Sequence, residues 1–560
     1  MIDFDAIVVG SGISGGWAAK ELTERGLKVL LIERGRMVRH GEDYPNEHRA
    51  PWDYPFRQFG DRRASERDYP VQSRMGNFSE GSQPFFLKDA DGPYRTEDGT
   101  DFTWIRGDQL GGRSLIWGRY AFRYGESNFT DNLRDGRGVD WPIRYADLAP
   151  WYDHVEKFAG ISGTAAGLAH VPDSQFMPPL PLNCVEEHVA AAIKTRFGRH
   201  LLPARAAILT QDLGERSACH FCGPCLHGCS TGSYFSSQSS TLPAALATGR
   251  LTIRTDTLVE GVDHDPKTGR ATGVRVIDRA TGAFGAVTAR VIFLNASTIA
   301  TAQILLNSTS AAFPTGLANG SGELGRNLMD HVLGPRATGR FDAFAGVTAT
   351  GNRPSGVGMF IARFRNVGDD ASPFLRGYHY QGSASRQAWP RGANAPGIGL
   401  SLKAELRTPG PWTMFVGGLG ECLPNPDNHV TLDPQAVDRW GIPQPRIQFG
   451  WTDNERAMAV DMAKEAGAML AAAGATDIKT SADLSPPGSG VHEAGTARMG
   501  RDPKTSVLNG QNQAHEVPNL FVTDGACLPS SPNQNPSLTY MALSARAAAF
   551  AVDQLKQGIL

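Results

Sequence analysis

The chain has 560 residues and a formal net charge of −2, too long for one ordinary hydrophobic core, so two or more domains, or one domain with a large insertion, are expected. A near-neutral balance without a basic block excludes a nucleic-acid groove and an anionic-membrane binder. No apolar run reaches the roughly 20 residues of a membrane-spanning helix, and the opening MIDFDAIVVGSGISGG has no basic leader or cleavage signature, so no signal peptide is expected there.

Residues 5–10, DAIVVG, form a short apolar run bounded by glycine; SGISGGWAAKELTERG then reads as a turn and a helix ending at Gly26, and KVLLIERG as a second buried strand. Between strand and helix, Gly10, Gly12 and Gly15 spell G-x-G-x-x-G. The first glycine makes the tight turn, the second lets backbone approach a pyrophosphate, and the third lets helix pack on strand, with phosphate at the helix N-terminus. Glu33 at the end of the second strand suits a ribose with a free 2′-hydroxyl, which favours FAD or NAD over NADP.

Residues 37–103 are polar and without sustained period, and read as a long extension covering the cofactor or a neighbouring subunit. WIRGDQLGGRSLIWGRYAFR follows, where Gly107, Gly111, Gly112 and Gly118 are interleaved with Trp104, Trp117 and Arg113, as suits close approach to a flat ring system. ACHFCGPCLHGCS at 218–230 places Cys219, Cys222, Cys225 and Cys229 at C-x2-C-x2-C-x3-C, the spacing used by bacterial ferredoxins to wrap an iron–sulfur cluster, although there the fourth cysteine ligates a different cluster and a proline follows where Ser230 stands here; three thiolates so spaced can face one cluster from a single loop. A zinc site, a thioredoxin-like dithiol at Cys222-Gly223-Pro224-Cys225 and a metal-free loop are the alternatives; zinc knuckles usually stand farther apart, and the dithiol lacks its strand-to-helix setting. Seven cysteines in all, with Cys184, Cys422 and Cys527 scattered, do not make a disulfide framework.

Residues 251–262, 272–278 and 285–297 read as strands, followed by a helix at about 299–308. From 335 to 450 the pattern alternates between turns, as in NHVTLDP and PQPRIQFGWT, which predicts an antiparallel sheet; 453–474 reads as the clearest amphipathic helix. The stretch FLRGYHYQGSASRQAW at 374–389 could line a carbohydrate site or be an ordinary loop.

Near the C-terminus come VHEAGTARMG at 491–500 and VPNLFVTDGACLPSSPNQNPSLTYMALSARAAAF at 517–550. With GSGISGG, LGGRSLIWG at 110–118 and LGRNLMDH at 324–331, the chain resembles the glucose-methanol-choline family of FAD-dependent oxidoreductases, in family order over nearly its whole length. The resemblance implies an α/β fold, an FAD-binding Rossmann-like domain joined to a substrate domain with a mixed or antiparallel sheet and helices. The FAD domain would take residues 1–165, 231–330 and 481–560, with an insertion at 166–230 carrying the cysteine loop and a substrate domain at 331–480.

It further implies an active-site pair, His492 as base and Asn535 as orienter of the substrate oxygen, because oxidising an alcohol needs a near-neutral base within reach of the hydroxyl while hydride leaves for flavin N5. FAD would be bound by Gly10, Ser11, Gly12, Ser14, Gly15, Glu33, Arg34, Gly111, Gly112, Ser114, Trp117, Val259, Asp524 and Asn535. Ile116 stands where family members with a histidyl-linked flavin carry the histidine, so the FAD is expected to be non-covalent. His331 and His515 are read as structural or partly exposed.

Among family members the chain resembles the catalytic subunits of gluconate, fructose and glucoside 3-dehydrogenases. That likeness implies oxidation of a secondary hydroxyl of a sugar or glycoside, at C3, and a three-iron or four-iron cluster on the four cysteines. It also implies a small partner subunit bearing the export signal, a cytochrome c or other acceptor, and hence a periplasmic location; a cytoplasmic one is the alternative. A sugar oxidase with a metal-free loop, a gluconate 2-dehydrogenase-like subunit and a flavin-binding relay subunit are the other readings.

Overall fold

Five apolar residues in the run Phe4–Val9 give a strand with its last four positions buried, and it becomes the middle of a seven-stranded sheet. It pairs in parallel with Val29–Ile32 on one side and with the end of Phe284–Leu294 on the other; Leu251–Arg254 extends one edge and Leu520–Val522 adds to the other. Strands buried on both faces must be apolar throughout, which is why these read as short continuous runs. The computed structural model describes residues 2–349, 352–393 and 395–560.

The strand Phe284–Leu294 serves two neighbourhoods. Its exposed first half pairs antiparallel with Arg270–Asp278, which pairs with Thr257–Asp265, while its buried second half joins the parallel set. Helix Ile13–Glu24 packs on the sheet beside the C-terminal helix Ser537–Lys556. Ala547, Ala548 and Ala551 of the latter are fully buried, and their small side chains let the two helices and the sheet approach closely at no cost in helix propensity.

A second, six-stranded sheet is antiparallel throughout, in the order Thr476–Ser481, Arg336–Arg340, Trp412–Gly420, Tyr378–Arg386, Met359–Ile361, Leu201–Pro203. Helix Asp453–Ala472 covers one face, started by Thr452 and Glu455 in a reciprocal cap and anchored by Met458, Met462, Ala466 and Met469. Strand alternation then sorts the stretch 378–381. Tyr378 and Tyr380 point into this core, their hydroxyls bonded to Asp461 and to the Met462 carbonyl, and His379 and Gln381 face the other way.

The antiparallel region predicted at 335–450 is divided. His429–Val437 and Pro443–Gln448 pair with each other but belong to a separate small sheet with Arg95–Thr96. The extension 37–103 holds short 3-10 turns and one helix, Arg62–Asp68. Its Tyr44, Tyr69, Phe85 and Phe86 share a core with Ile105, Leu115 and Ile116, so it packs against the glycine loop at 107–118.

Candidate active site

One cavity of about 560 Å³ runs from the first glycine turn to His492. The three glycines at its head differ in surroundings. Gly10 has φ +90° and a side chain there would strike the Asn295 carbonyl; one on Gly15 would fall 1.8 Å from the Gly10 carbonyl oxygen; one on Gly12 would meet nothing within 4 Å. Gly12 therefore presents bare backbone to the cavity at the start of the helix, where unpaired N–H groups favour an anion.

Glu33 ties the turn together. Its Oε2 accepts from Ser11 N–H (3.1 Å) and the Ser11 hydroxyl, its Oε1 from Gly35 N–H (2.8 Å), and burial pushes its carboxyl above the usual range. Ser11 Oγ also receives the Gly111 N–H at 2.7 Å, which fastens the second glycine loop to the first. Gly10, Ser11, Gly12, Ser14, Glu33, Arg34, Gly112, Ser114, Trp117, Val259, Asp524 and Asn535 all line the cavity. Gly15 and Gly111 stand behind its wall, Gly15 against the Gly10 carbonyl and Gly111 against the side-chain amide of Gln238. Asp524 accepts from Ser297 N–H (2.9 Å) and Thr301 Oγ (2.6 Å), and burial raises its pKa to about 6.

The other end of the cavity holds His492, preceded by Val491 at φ +54°, a conformation that a β-branched residue rarely adopts and that marks a tightly determined segment. Asp330 determines it, accepting the N–H groups of Gly490 (2.9 Å) and His492 (3.1 Å); burial and the neighbouring Glu493 raise its carboxyl to about 7. His492 Nε2 lies 3.4 Å from Asn535 Nδ2, and His492 Nδ1 lies 3.0 Å from His331 Nδ1. Burial holds all three local imidazoles neutral: His492 well below its ordinary value, His331 at about 4 and His379 at about 3.

A family model for the N-terminal part of GMC oxidoreductases matches residues 4–333, and one for the C-terminal part matches 424–544. The chain belongs to the GMC oxidoreductase family. This GMC oxidoreductase is 31 % identical to the 2-methyl-1,2-propanediol dehydrogenase of Mycolicibacterium austroafricanum over 97 % of its own length and 94 % of that protein's. It is 26 % identical to the fructose dehydrogenase large subunit of Gluconobacter japonicus, covering 99 % and 98 %. The pyridoxine 4-oxidase structure from Mesorbium loti superposes with a TM-score of 0.61 at 18 % identity, covering 98 % of each chain, which shows a shared fold. It is accordingly a flavin oxidoreductase acting on alcohol or sugar hydroxyls. The family implies FAD, and the cavity fits it: the open face of Gly12 at a helix N-terminus suits a pyrophosphate, and the buried amide of Asn295, which lines the cavity, has an Nδ2 without a protein partner.

Three residues of this GMC site escape a reading by motif. His331, read as structural or partly exposed, is 1 % exposed and touches His492. Gln381 donates from Nε2 to Asn535 Oδ1 (2.5 Å) and also meets His379 Nε2 (2.9 Å); the polar stretch 374–389 was its only signal. Arg113, hidden inside a glycine motif, makes a two-pronged pair with Glu493 at 3.2 and 2.7 Å and reaches Ser297 Oγ at 3.1 Å. His515, by contrast, contacts Ser506 Oγ at 3.0 Å and does not line the cavity.

Cys219, Cys222, Cys225 and Cys229 are free, half-buried thiols that line a separate small cavity of about 20 Å³ with Tyr234. Burial, then the charges of the other three, push Cys222 up to about 11. Among the described residues no three His, Cys, Asp or Glu side chains, the four cysteines included, are grouped so as to hold a metal ion, which supports neither zinc nor the expected iron–sulfur cluster. The Tyr234 hydroxyl donates to the Trp117 carbonyl at 3.0 Å, so one hydrogen bond links the walls of the two cavities.

Proposed function

We propose that this protein is an FAD-dependent dehydrogenase oxidising a secondary hydroxyl of a sugar or glycoside, with C3 the position assigned, and passing electrons to a partner. The observation that carries the reading is a half-buried, neutral histidine that lines the cavity, its Nε2 beside the Asn535 amide donor. Bound FAD supplies the acceptor for a hydride. The hydroxyl proton goes to His492 Nε2 while the C–H bond breaks with its electron pair, leaving a ketone; Asn535 donates to the substrate oxygen and cannot compete for the proton. Gln381 fixes the Asn535 amide. The fructose dehydrogenase likeness supports a polyhydroxylated substrate.

Cys219, Cys222, Cys225 and Cys229 would hold an iron–sulfur cluster, which would supply one-electron transfer toward a small subunit, a cytochrome c or another acceptor. A four-iron cluster would take one thiolate per iron, whereas a three-iron cluster would leave one of the four cysteines unligated. What supports it is four free thiols facing one cavity, one hydrogen bond from the flavin site. A second reading, a sugar oxidase with a metal-free loop, is favoured by the lack of a single-ion site among the described residues.

Iron and acid-labile sulfide analysis of anaerobically purified protein, followed by flavin bleaching with a panel of sugars and polyols and reoxidation by dioxygen or an artificial acceptor, separates these. Iron and sulfide with fast reoxidation only by the acceptor is the expected result. Metal-free protein reoxidised rapidly by dioxygen overturns it in favour of the oxidase.

A further inference from the structure

The contact between His331 and His492 has a direction, and its far end determines it. His331 Nε2 lies 2.7 Å from the Pro532 carbonyl oxygen, and a carbonyl only accepts, so that nitrogen carries the hydrogen. His331 is 1 % exposed, and burial lowers its pKa to about 4. At neutral pH it holds a single ring hydrogen, already placed on Nε2, and its Nδ1 bears a lone pair.

That Nδ1 faces His492 Nδ1 at 3.0 Å, the rings nearly perpendicular at 70°. Two bare nitrogens at this distance would repel, so His492 Nδ1 is the donor and His492 Nε2 carries the lone pair. The opposite side of the site agrees. Asn535 Nδ2, which can only donate, meets His492 Nε2; Asn535 Oδ1 accepts one hydrogen of the Gln381 amide, whose other hydrogen meets His379 Nε2. The four contacts from the Pro532 carbonyl through His331, His492 and Asn535 to Gln381 thus agree with one protonation pattern; beyond them, His379 Nδ1 also lies 3.0 Å from Asn533 Nδ2.

We propose that His331 is a positioning residue that holds His492 in its Nδ1–H tautomer, reserving Nε2 for the substrate's proton, and that steadies the imidazolium formed by accepting its Nδ1–H. The inference rests on the reading of His492 as the base and adds what orients it. It is the arrangement of an acid–histidine pair with a neutral imidazole in the place of the carboxylate. The other titratable and charged groups facing the pair are Asp330, held on the Gly490 and His492 N–H groups, His379, and Arg113 paired with Glu493; after burial and His331, Arg113 and His379 add to what disfavours a charged His492.

Two isosteres separate orientation from packing. In His331→Asn the amide oxygen can stand where Nδ1 stood and accept from His492, but nothing reaches Pro532. In His331→Gln the amide nitrogen can donate to the Pro532 carbonyl, but no acceptor remains at Nδ1. With a substrate that bleaches the wild-type flavin, His331→Asn is expected to keep kcat within about fivefold, and His331→Gln to lose about 100-fold in kcat with little change in KM. The acid limb of kcat/KM should move to lower pH in His331→Gln alone, because an imidazolium without its acceptor is the stronger acid. Equal impairment of both variants, or wild-type behaviour of both, overturns the proposal.

His492→Ala, assayed alongside, keeps the two readings apart. Near-wild-type turnover in it removes the base assignment itself, whereas its collapse with indistinguishable His331→Asn and His331→Gln removes only the role of His331. Selective 15N-histidine labelling of the wild-type holoenzyme reads the tautomer without any variant. A bare-nitrogen shift at His492 Nε2 is expected, and a protonated Nε2 overturns the proposal.

Discussion

Arg113 and Glu493 show how much a single contact beside His492 is asked to hold. The Glu493 side chain is wholly buried, while that of Arg113 retains 28 % exposure toward the cavity. A carboxylate with no water near it depends on its one guanidinium, and removing one partner of such a pair typically costs about 3–5 kcal/mol because the survivor stays charged and unpaired. Arg113→Met should therefore lose stability of that order, with flavin released on mild dilution, and Arg113→Lys should lose less because it keeps the charge and gives up only the second prong. Thermal unfolding of both holoproteins checks the ranking; equal melting temperatures for Met and Lys variants would remove the buried-charge explanation. None of this was legible in the sequence, where Arg113 was one polar letter among glycines. His492 and Asn535 were named from motifs that recur as units along one stretch of chain, whereas a pair such as Arg113–Glu493 depends on two distant loops meeting.

The strand-turn-helix at the front of the chain lies close to where periodicity and punctuation place it, with the helix over Ile13–Glu24 and the second strand over Val29–Ile32. Local signals suffice there because the glycines leave the backbone one way to turn. Pairing partners are another matter: nothing in NHVTLDP announces that it joins Pro443–Gln448 and Arg95–Thr96 apart from the large antiparallel sheet, and nothing in YHYQ says which face meets the cavity until helix Asp453–Ala472 takes the tyrosines. The turn makes a sharper test of element-level reasoning. Gly15→Ala places a carbon 1.8 Å from the Gly10 carbonyl oxygen, so helix or strand must shift; Gly12→Ala places one in open cavity with ordinary φ of −62°. The first variant should emerge without flavin or unfolded. The second should fold with native circular dichroism and a weaker FAD affinity, by roughly 10-fold or more, because its methyl occupies the space through which backbone meets the pyrophosphate. A Gly12→Ala protein that binds FAD as the wild type does would show that the phosphates lie elsewhere.

At the scale of the whole molecule, the cavity proposed to seat the cofactor is assembled from segments that are neighbours only after folding: the turn at 10–14, the loop at 112–117, Val259, residues 295–297 just past a strand end, and residues of the C-terminal part between 492 and 535. A ligand that binds only the folded arrangement stabilises all of it by mass action, roughly 4 kcal/mol at a free concentration a thousand times its Kd. This linkage requires the flavin to come and go, and the chain supplies a reason that it can. Ile116, which lines the cavity at the position expected for a linking histidine, is 5 % exposed and carries only hydrocarbon, so it has no atom with which to attack a flavin methyl group. Two measurements follow from one cause. Acid precipitation should leave a colourless pellet and a yellow supernatant, and protein stripped of flavin should show a melting temperature that climbs with the logarithm of added FAD. A covalent link would make the second experiment impossible and turn the pellet yellow. A stripped protein whose melting temperature ignores added FAD would instead mean that the two ends of the chain close this cavity without help from the cofactor.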